Sequence, residues 1–260
     1  MAEIHARGLA KSYPLADGTA RPALKGIDLH VASGEFVCLL GPSGCGKTTL
    51  LNILAGLDEA DSGTFSVGDP AAPPVTSYMF QEPRLLPWRT VRGNLHFVLD
   101  ERGEASRTKV DYWLDRVGLA GRGDDYPRQL SIGQRQRVAV ARALIVQPQV
   151  LFMDEPFSSL DELTATRMRE ELLDLWQELG CTVLFVTHNP LEAAFLADRI
   201  VVMSPGPGHI VEELAVTDRL PRPRDGDDPE VWDVSREAVR ALRGEGRVGE
   251  RPRPADRVVG

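Results

Sequence analysis

Cysteine is scarce in this chain of 260 residues: Cys38, Cys45 and Cys181 are odd in number and far apart. That suits neither a disulfide framework nor a paired zinc site and points to a reducing compartment. Nowhere is there a run of about 18 apolar residues, the length that a helix needs to span a bilayer. Membrane association is therefore expected only through a partner. The opening MAEIHARGLAKSYP holds neither the apolar stretch nor the cleavage site of a secretory signal. Basic charge is short as well. Thirty Lys and Arg face 38 Asp and Glu, a formal net charge of −8, whereas broad nucleic-acid binding needs a basic surface, so no nucleic-acid partner is expected.

What is there is an ordinary globular composition, 42% hydrophobic and 26% charged, with length enough for one main domain and a full core. Short β-branched and apolar runs at Gly34 to Leu40, Val150 to Met153, Thr182 to Val186 and Arg199 to Met203 read as buried strands with helical patterns between them. This alternation predicts a largely parallel α/β sheet. Ala23 to Val31 alternates imperfectly and fits antiparallel strands beside that sheet. Between Gln81 and Gln147 the strand signal fades, and Lys109 to Gly118 and Ser131 to Ile145 read as amphipathic helices of an insertion. After residue 216 comes a Pro- and charge-rich connector, LPRPRDGDDPE, then a helix with Asp228 as cap and Pro229 at its first position. The last fifteen or so residues have the composition of a disordered tail.

Gly41-Pro42-Ser43-Gly44-Cys45-Gly46-Lys47-Thr48 fits G-x-x-x-x-G-K-[ST], after the strand EFVCLL and before the helical pattern TTLLNILAGL. Glycines let backbone N–H groups curl around phosphate oxygens, and the following helix, with Thr49 in its first turn, presents its positive end to the same anion. Lys47 is placed for the β- and γ-phosphates and Thr48 for Mg²⁺. Kinases, GTPases and motor ATPases share such a loop, so by itself it predicts nucleotide binding and no family. Val150 to Glu155 ends an apolar strand in two acids, at the carboxyl edge of the sheet where ligands bind. Asp154 there suits Mg²⁺ binding and Glu155 suits polarising an attacking water. An acidic strand-to-loop turn is the plain alternative for that pair taken alone.

Leu130-Ser131-Ile132-Gly133-Gln134, shortly before the acidic strand, resembles the LSGGQ signature of ABC ATPases, which other phosphate-loop families lack. By that resemblance Ser131, Gly133 and Gln134 reach the γ-phosphate of ATP held by an opposite copy of the chain. Ile132 departs from the family's glycine while keeping its N–H donor. Gln81, after SYMF, matches the glutamine expected to contact Mg²⁺ and the attacking water. Ser158-Ser159-Leu160-Asp161 resembles the loop that crosses to the second copy, although SSLDE alone reads as a helix cap. His188, ending CTVLFVTH, matches the histidine expected on the γ-phosphate, and Tyr13 in KSYP matches the aromatic expected on adenine. A lone histidine after a strand is more often structural, and only its place in this ordered series makes the other case. Arg89, Arg135, Arg137 and Arg142 read as structural pairs or solvated faces. Cys45, inside the phosphate loop, reads as a small packing residue or a site of thiol sensitivity.

The resemblance covers roughly residues 3 to 243. It implies an α/β fold of the P-loop NTPase, ABC nucleotide-binding type, with an antiparallel β subdomain and an inserted α-helical subdomain. The expected division is an ATPase domain over 1–218, with the helical subdomain inserted at approximately 82–147, and a connector, short helix and tail over 219–260. MFQEPRLLPWRTVRGNL and ADRIVVMSPGPGHIVEE are similar to the corresponding segments of nitrate, sulfonate and taurine importer ATPases. The resemblance thus implies an ATPase that uses ATP and Mg²⁺ on the cytoplasmic face of a membrane. Its implied partners are a second copy of itself, two transmembrane permease subunits and, through these, an extracytoplasmic solute-binding protein. LLPW, near Gln81, offers apolar anchors for permease contact, with burial in the core as the plain alternative. A soluble ABC-type ATPase acting on a cytosolic partner is the rival within the same chemistry, and a P-loop kinase or signalling switch leaves LSIGQ, SSLD and His188 unexplained.

Overall fold

The computed structural model describes residues 2–99, 104–226 and 228–244; the expected disordered tail lies outside them. Two sheets carry the fold. The first is antiparallel, in the order β2-β1-β4, from β1 (Ile4–Pro14), β2 (Ala20–Val31) and β4 (Ser62–Val67). The imperfect alternation along β2 has a local cause: the pairing of β1 with β2 shifts register at three places, and each shift interrupts the period of two. The second sheet runs β5-β6-β7-β3-β8-β9, from β3 (Phe36–Leu40), β5 (Thr76–Met79), β6 (Val150–Asp154), β7 (Thr182–Thr187), β8 (Arg199–Met203) and β9 (Ile210–Ala215). Its first five neighbours are parallel and β9 closes it antiparallel to β8.

Near-continuous apolar runs make the central strands because both of their faces are covered. Phe36, Cys38 and Leu40 of β3 point to one side, with Val183 and Phe185 of β7, into a cluster shared with Leu172, Phe195 and Val231. Val37 and Leu39 point to the other, against Leu50, Ile53, Leu9 and Ile27. Full burial of each such side chain contributes about 1.5–3 kcal/mol. On the first side pack α5 (Glu162–Leu179), α6 (Pro190–Leu196) and α7 (Pro229–Leu242); on the second lie α1 (Lys47–Leu54) and the antiparallel sheet.

Between β5 and β6 the described chain holds no strand. It runs through α2 (Val91–His96), α3 (Glu104–Arg116), a 3₁₀ turn at Pro127–Gln129 and α4 (Ile132–Leu144). Helix α3 starts earlier than the Lys109 to Gly118 pattern and ends at Arg116, with Gly118 at φ +68 just beyond. Asp228 caps α7 by accepting from the Glu230 N–H at 2.9 Å, with Pro229 in the first turn.

The connector before α7 is better anchored than its composition suggests. Arg224 is buried and donates to the carbonyls of Ala194, Phe195 and Ala197, which closes the C-terminal end of α6, and to Leu220. Burial pushes its guanidinium down, with Arg222 next. Arg222 bonds Asp198 and the Leu196 carbonyl and lies 4.5 Å from the Trp176 ring centre. Among the described residues no helix is long and apolar enough to cross a membrane.

Candidate functional site

The loop 41–46 leaves the carboxyl end of β3 and enters α1. Gly46 is the N-cap of α1 at φ +101, and a Cβ there would lie 2.7 Å from the Ala23 carbonyl oxygen, so neither its backbone nor its neighbours admit a side chain. The loop is clasped from two remote segments: the Gly208 N–H donates to Ala23 O at 2.9 Å and the Lys25 N–H to Gly208 O at 2.9 Å.

Lys47 is 3% exposed. Its ammonium donates to the carbonyls of Gly41 (2.7 Å) and Pro42 (3.1 Å) and stands 3.7 Å from Glu155 Oε1. Thr48 Oγ1 donates to Asp154 Oδ1 at 3.0 Å, so the last residue of β6 meets the first turn of α1. Burial raises the Asp154 carboxyl and the Thr48 bond works against it. The hydroxyl and the carboxylate are hard oxygen donors of the kind Mg²⁺ takes, so the donor set fits that ion.

Glu155 has φ +44, in the left-handed region that a residue with a Cβ seldom occupies. Its N–H donates to Val186 O, the backbone two residues before His188, and its carbonyl accepts from the Ser158 N–H and hydroxyl. Aimed this way, its Oε2 lies 2.8 Å from His188 Nδ1. A carboxylate only accepts, so this nitrogen carries the proton. Gln81 Nε2 donates to Ser158 Oγ at 3.2 Å, which brings the end of the β5 segment to the same place.

A cleft of about 950 Å³ opens over these groups, lined by Tyr13, Ser43, Gly44, Lys47, Gln81 and Glu155 among others. Thr48, Thr49 and Gly46 line it too. Gly41 and Pro42 support it through the Lys47 bonds, Asp154 through Thr48 and His188 through Glu155. Tyr13 is half-exposed, and its hydroxyl donates to Asp58 Oδ2 at 2.7 Å. Burial and that bond raise the phenol. Cys45 is buried and its thiol is raised by burial, which disfavours the reactive thiolate. Sequence reasoning missed Arg21, Pro22, Ala23, Gly206 and Pro207 on the cleft wall. They are remote from the phosphate loop in the chain, and Gly206 and Pro207 fall in a segment matched to the importer ATPases without a site role.

Ser131, Gly133, Gln134 and Asp161 are not brought to this cleft. They line a second one, of about 650 Å³, with Arg137, Ser159 and Thr164. Ser131 caps α4: its Oγ accepts from the Gln134 N–H at 3.2 Å while Gln134 Oε1 accepts from the Ser131 N–H at 2.9 Å. Asp161 caps α5 through the Thr164 N–H at 3.0 Å. Two helix N-termini thus border one opening, which favours anions. Ile132 is 50% exposed at the start of α4, so its branched side chain lies outside the core. Arg89, Arg135, Arg137 and Arg142, in the helical region, engage protein groups. Arg142 donates to the carbonyls of Pro83 and Arg84, Arg135 to Leu130 O, Arg137 to Val117 O and Glu171, and Arg89 lies over Phe97.

A family model described as ABC transporter matches residues 24–158. The nitrate import ATP-binding protein of Synechocystis sp. is 45% identical over 235 residues, covering 85% of this chain and 88% of that protein. An aliphatic sulfonates import ATP-binding protein of Agrobacterium fabrum is 46% identical over 88% of this chain and 81% of its own length. The taurine import ATP-binding protein of Yersinia pestis is 44% identical over 77% and 81%. A bacterial ABC transporter cassette solved as a dimer superposes with a TM-score of 0.72 at 30% identity, covering 82% of this chain and 98% of that one. A dimeric ATP-binding cassette bound to ADP and Pi does so with 0.71 at 29%, covering 82% and 98%. Motif order, fold and identity agree: this chain belongs to the ABC transporter family, as one of its nucleotide-binding ATPases.

Proposed function

We propose that the chain energises an importer for a small anion such as an aliphatic sulfonate, taurine or nitrate, from the cytoplasmic face of the membrane. One observation carries the catalytic part: Lys47, Glu155 and His188 converge beneath a nucleotide-sized cleft at the carboxyl edge of the sheet. In this reading Gly41, Pro42, Ser43, Gly44, Cys45, Gly46 and Thr49 wrap the phosphates with their backbone, Lys47 neutralises the β- and γ-phosphates and Tyr13 stacks on adenine. Thr48, Asp154 and Gln81 hold Mg²⁺, which when bound supplies charge neutralisation at the phosphates. Glu155 takes the proton of the attacking water, and His188 holds the carboxylate and contacts the γ-phosphate.

Ser131, Gly133, Gln134 and Asp161 act on the ATP of a second copy. Their separation from the phosphate loop within one chain supports that reading, because each catalytic centre then needs two chains. The division that goes with this reading is a helical subdomain inserted at approximately 82–147 and a C-terminal connector, short helix and tail over 219–260. Partners are two permease subunits and, beyond them, an extracytoplasmic solute-binding protein. The anion class rests on the names of the relatives. No observation favours a soluble ATPase acting on a cytosolic partner. The test is purification of the tagged chain from solubilised membranes with mass spectrometry of its stoichiometric companions. A multi-span permease is expected; solely soluble companions, where known permease complexes survive the same extraction, refute the importer reading.

A further inference from the structure

We propose that Glu3, His5 and His30 form a binding site for one zinc-class divalent cation on the solvent face of the antiparallel sheet, apart from the nucleotide cleft. His5 of β1 stands directly opposite His30 of β2 in the strand register, and Glu3 is two residues from His5, so three side chains rise on one side of the sheet. Glu3 Oε2 lies 3.0 Å from His5 Nε2 and 3.6 Å from His30 Nε2. One ligand atom from each of the three lies within 4.8 Å of the others. A tetrahedral ion with bonds of about 2.0–2.1 Å separates its ligand atoms by about 3.3 Å, and the two distances from Glu3 straddle that value. Two imidazoles and a carboxylate match zinc rather than magnesium, which takes oxygen donors, and leave the fourth position to water.

The frame beneath is fixed. Ile4, Ala6, Leu29 and Val31, which alternate with the histidines, are all buried. The Glu3 carbonyl accepts from the Gly68 N–H at 2.8 Å and the His30 carbonyl from Arg199 at 2.6 Å. The two imidazole rings stack with centres 4.4 Å apart and planes 17° from parallel, which limits their freedom before any ion binds. Each ligand side chain is about half exposed, 48% for His5, 51% for Glu3 and 55% for His30, so an ion enters from solvent without rearrangement of the sheet.

The test is calorimetric titration of the untagged, nucleotide-free full chain with Zn²⁺, with Mg²⁺ as control. One equivalent of Zn²⁺ is expected to bind, and at least about tenfold more weakly in His5→Ala and in His30→Ala. Zn²⁺ is expected to raise the Tm of the wild type and not that of the double variant that combines His5→Ala with His30→Ala, because the ion would tie two strands together. Glu3→Gln, a conservative exposed change, provides a third variant that keeps the fold, and basal ATPase activity is expected to be unchanged in all of them. No saturable Zn²⁺ binding by the wild type overturns the proposal. So does equal affinity and stoichiometry in the folded double variant, or tight binding of Mg²⁺ at the same residues.

Discussion

His188 Nδ1 and Glu155 Oε2 are 2.8 Å apart, while the other oxygen of the same carboxylate faces Lys47 at 3.7 Å. The carboxylate is held between a proton donor and a cation. If it accepts the water proton, Glu155→Gln retains ATP and loses roughly 10²–10⁴-fold in turnover, the ordinary contribution of a general base. Single-turnover hydrolysis measures it, and gel filtration with ATP is expected to show accumulated dimer. Normal turnover in this variant removes Glu155 from the role.

Lys47→Ala is expected to weaken nucleotide binding by more than about tenfold, because it deletes the one buried cation at the loop among the described residues of the cleft floor and leaves the Gly41 and Pro42 carbonyls without their donor. Leaving buried acceptors unmade costs about 1–3 kcal/mol on its own. Titration with an ATP analogue therefore has to be read beside a melting curve. Unchanged affinity excludes Lys47 from phosphate contact.

Trp88 is 72% exposed on the segment that follows Gln81. An indole so exposed suits a partner surface, where one aromatic anchor often dominates. Leu86→Asp with Trp88→Ala is expected to abolish permease co-purification while circular dichroism and basal ATPase activity persist. Retention of the permease by a folded variant places the contact elsewhere.

Glu192, in the first turn of α6, is buried, and its carboxylate accepts from the Thr187 hydroxyl. Burial raises its carboxyl above the ordinary 4.5, partly offset by that bond and by Arg169. The folded chain then binds the proton more tightly than the unfolded one. The contribution to stability is full below about pH 4.5 and is lost as pH rises through the folded value. Glu192→Gln is expected to lose less Tm than the wild type between pH 4.5 and 7. Parallel curves exclude this account.

The phosphate loop and the acid-ending strand were legible because their geometry is local: for the loop, a strand, a turn whose Gly46 admits no side chain, and a helix start lie within about 15 residues of one another. The Ser131 cap with Gln134 is local in the same sense. Arg222 and Arg224 were not legible. Their sequence neighbours, prolines and acids, read as solvated, but the carbonyls that receive the guanidinium groups belong to α6 and its end, some 27 to 30 residues away for Arg224. The wall of the cleft at Arg21 to Ala23 and Gly206 to Pro207 was hidden for the same reason. No periodicity announces a loop that is held by another loop.

The left-handed backbone at Glu155 has a consequence for any attempt to make this chain more robust. A side chain in that region costs roughly 1–2 kcal/mol, which glycine avoids. Screens that reward heat resistance alone will therefore drift toward glycine at position 155 and discard the carboxylate. If Glu155 is the general base, such a screen would trade turnover for durability at this one position.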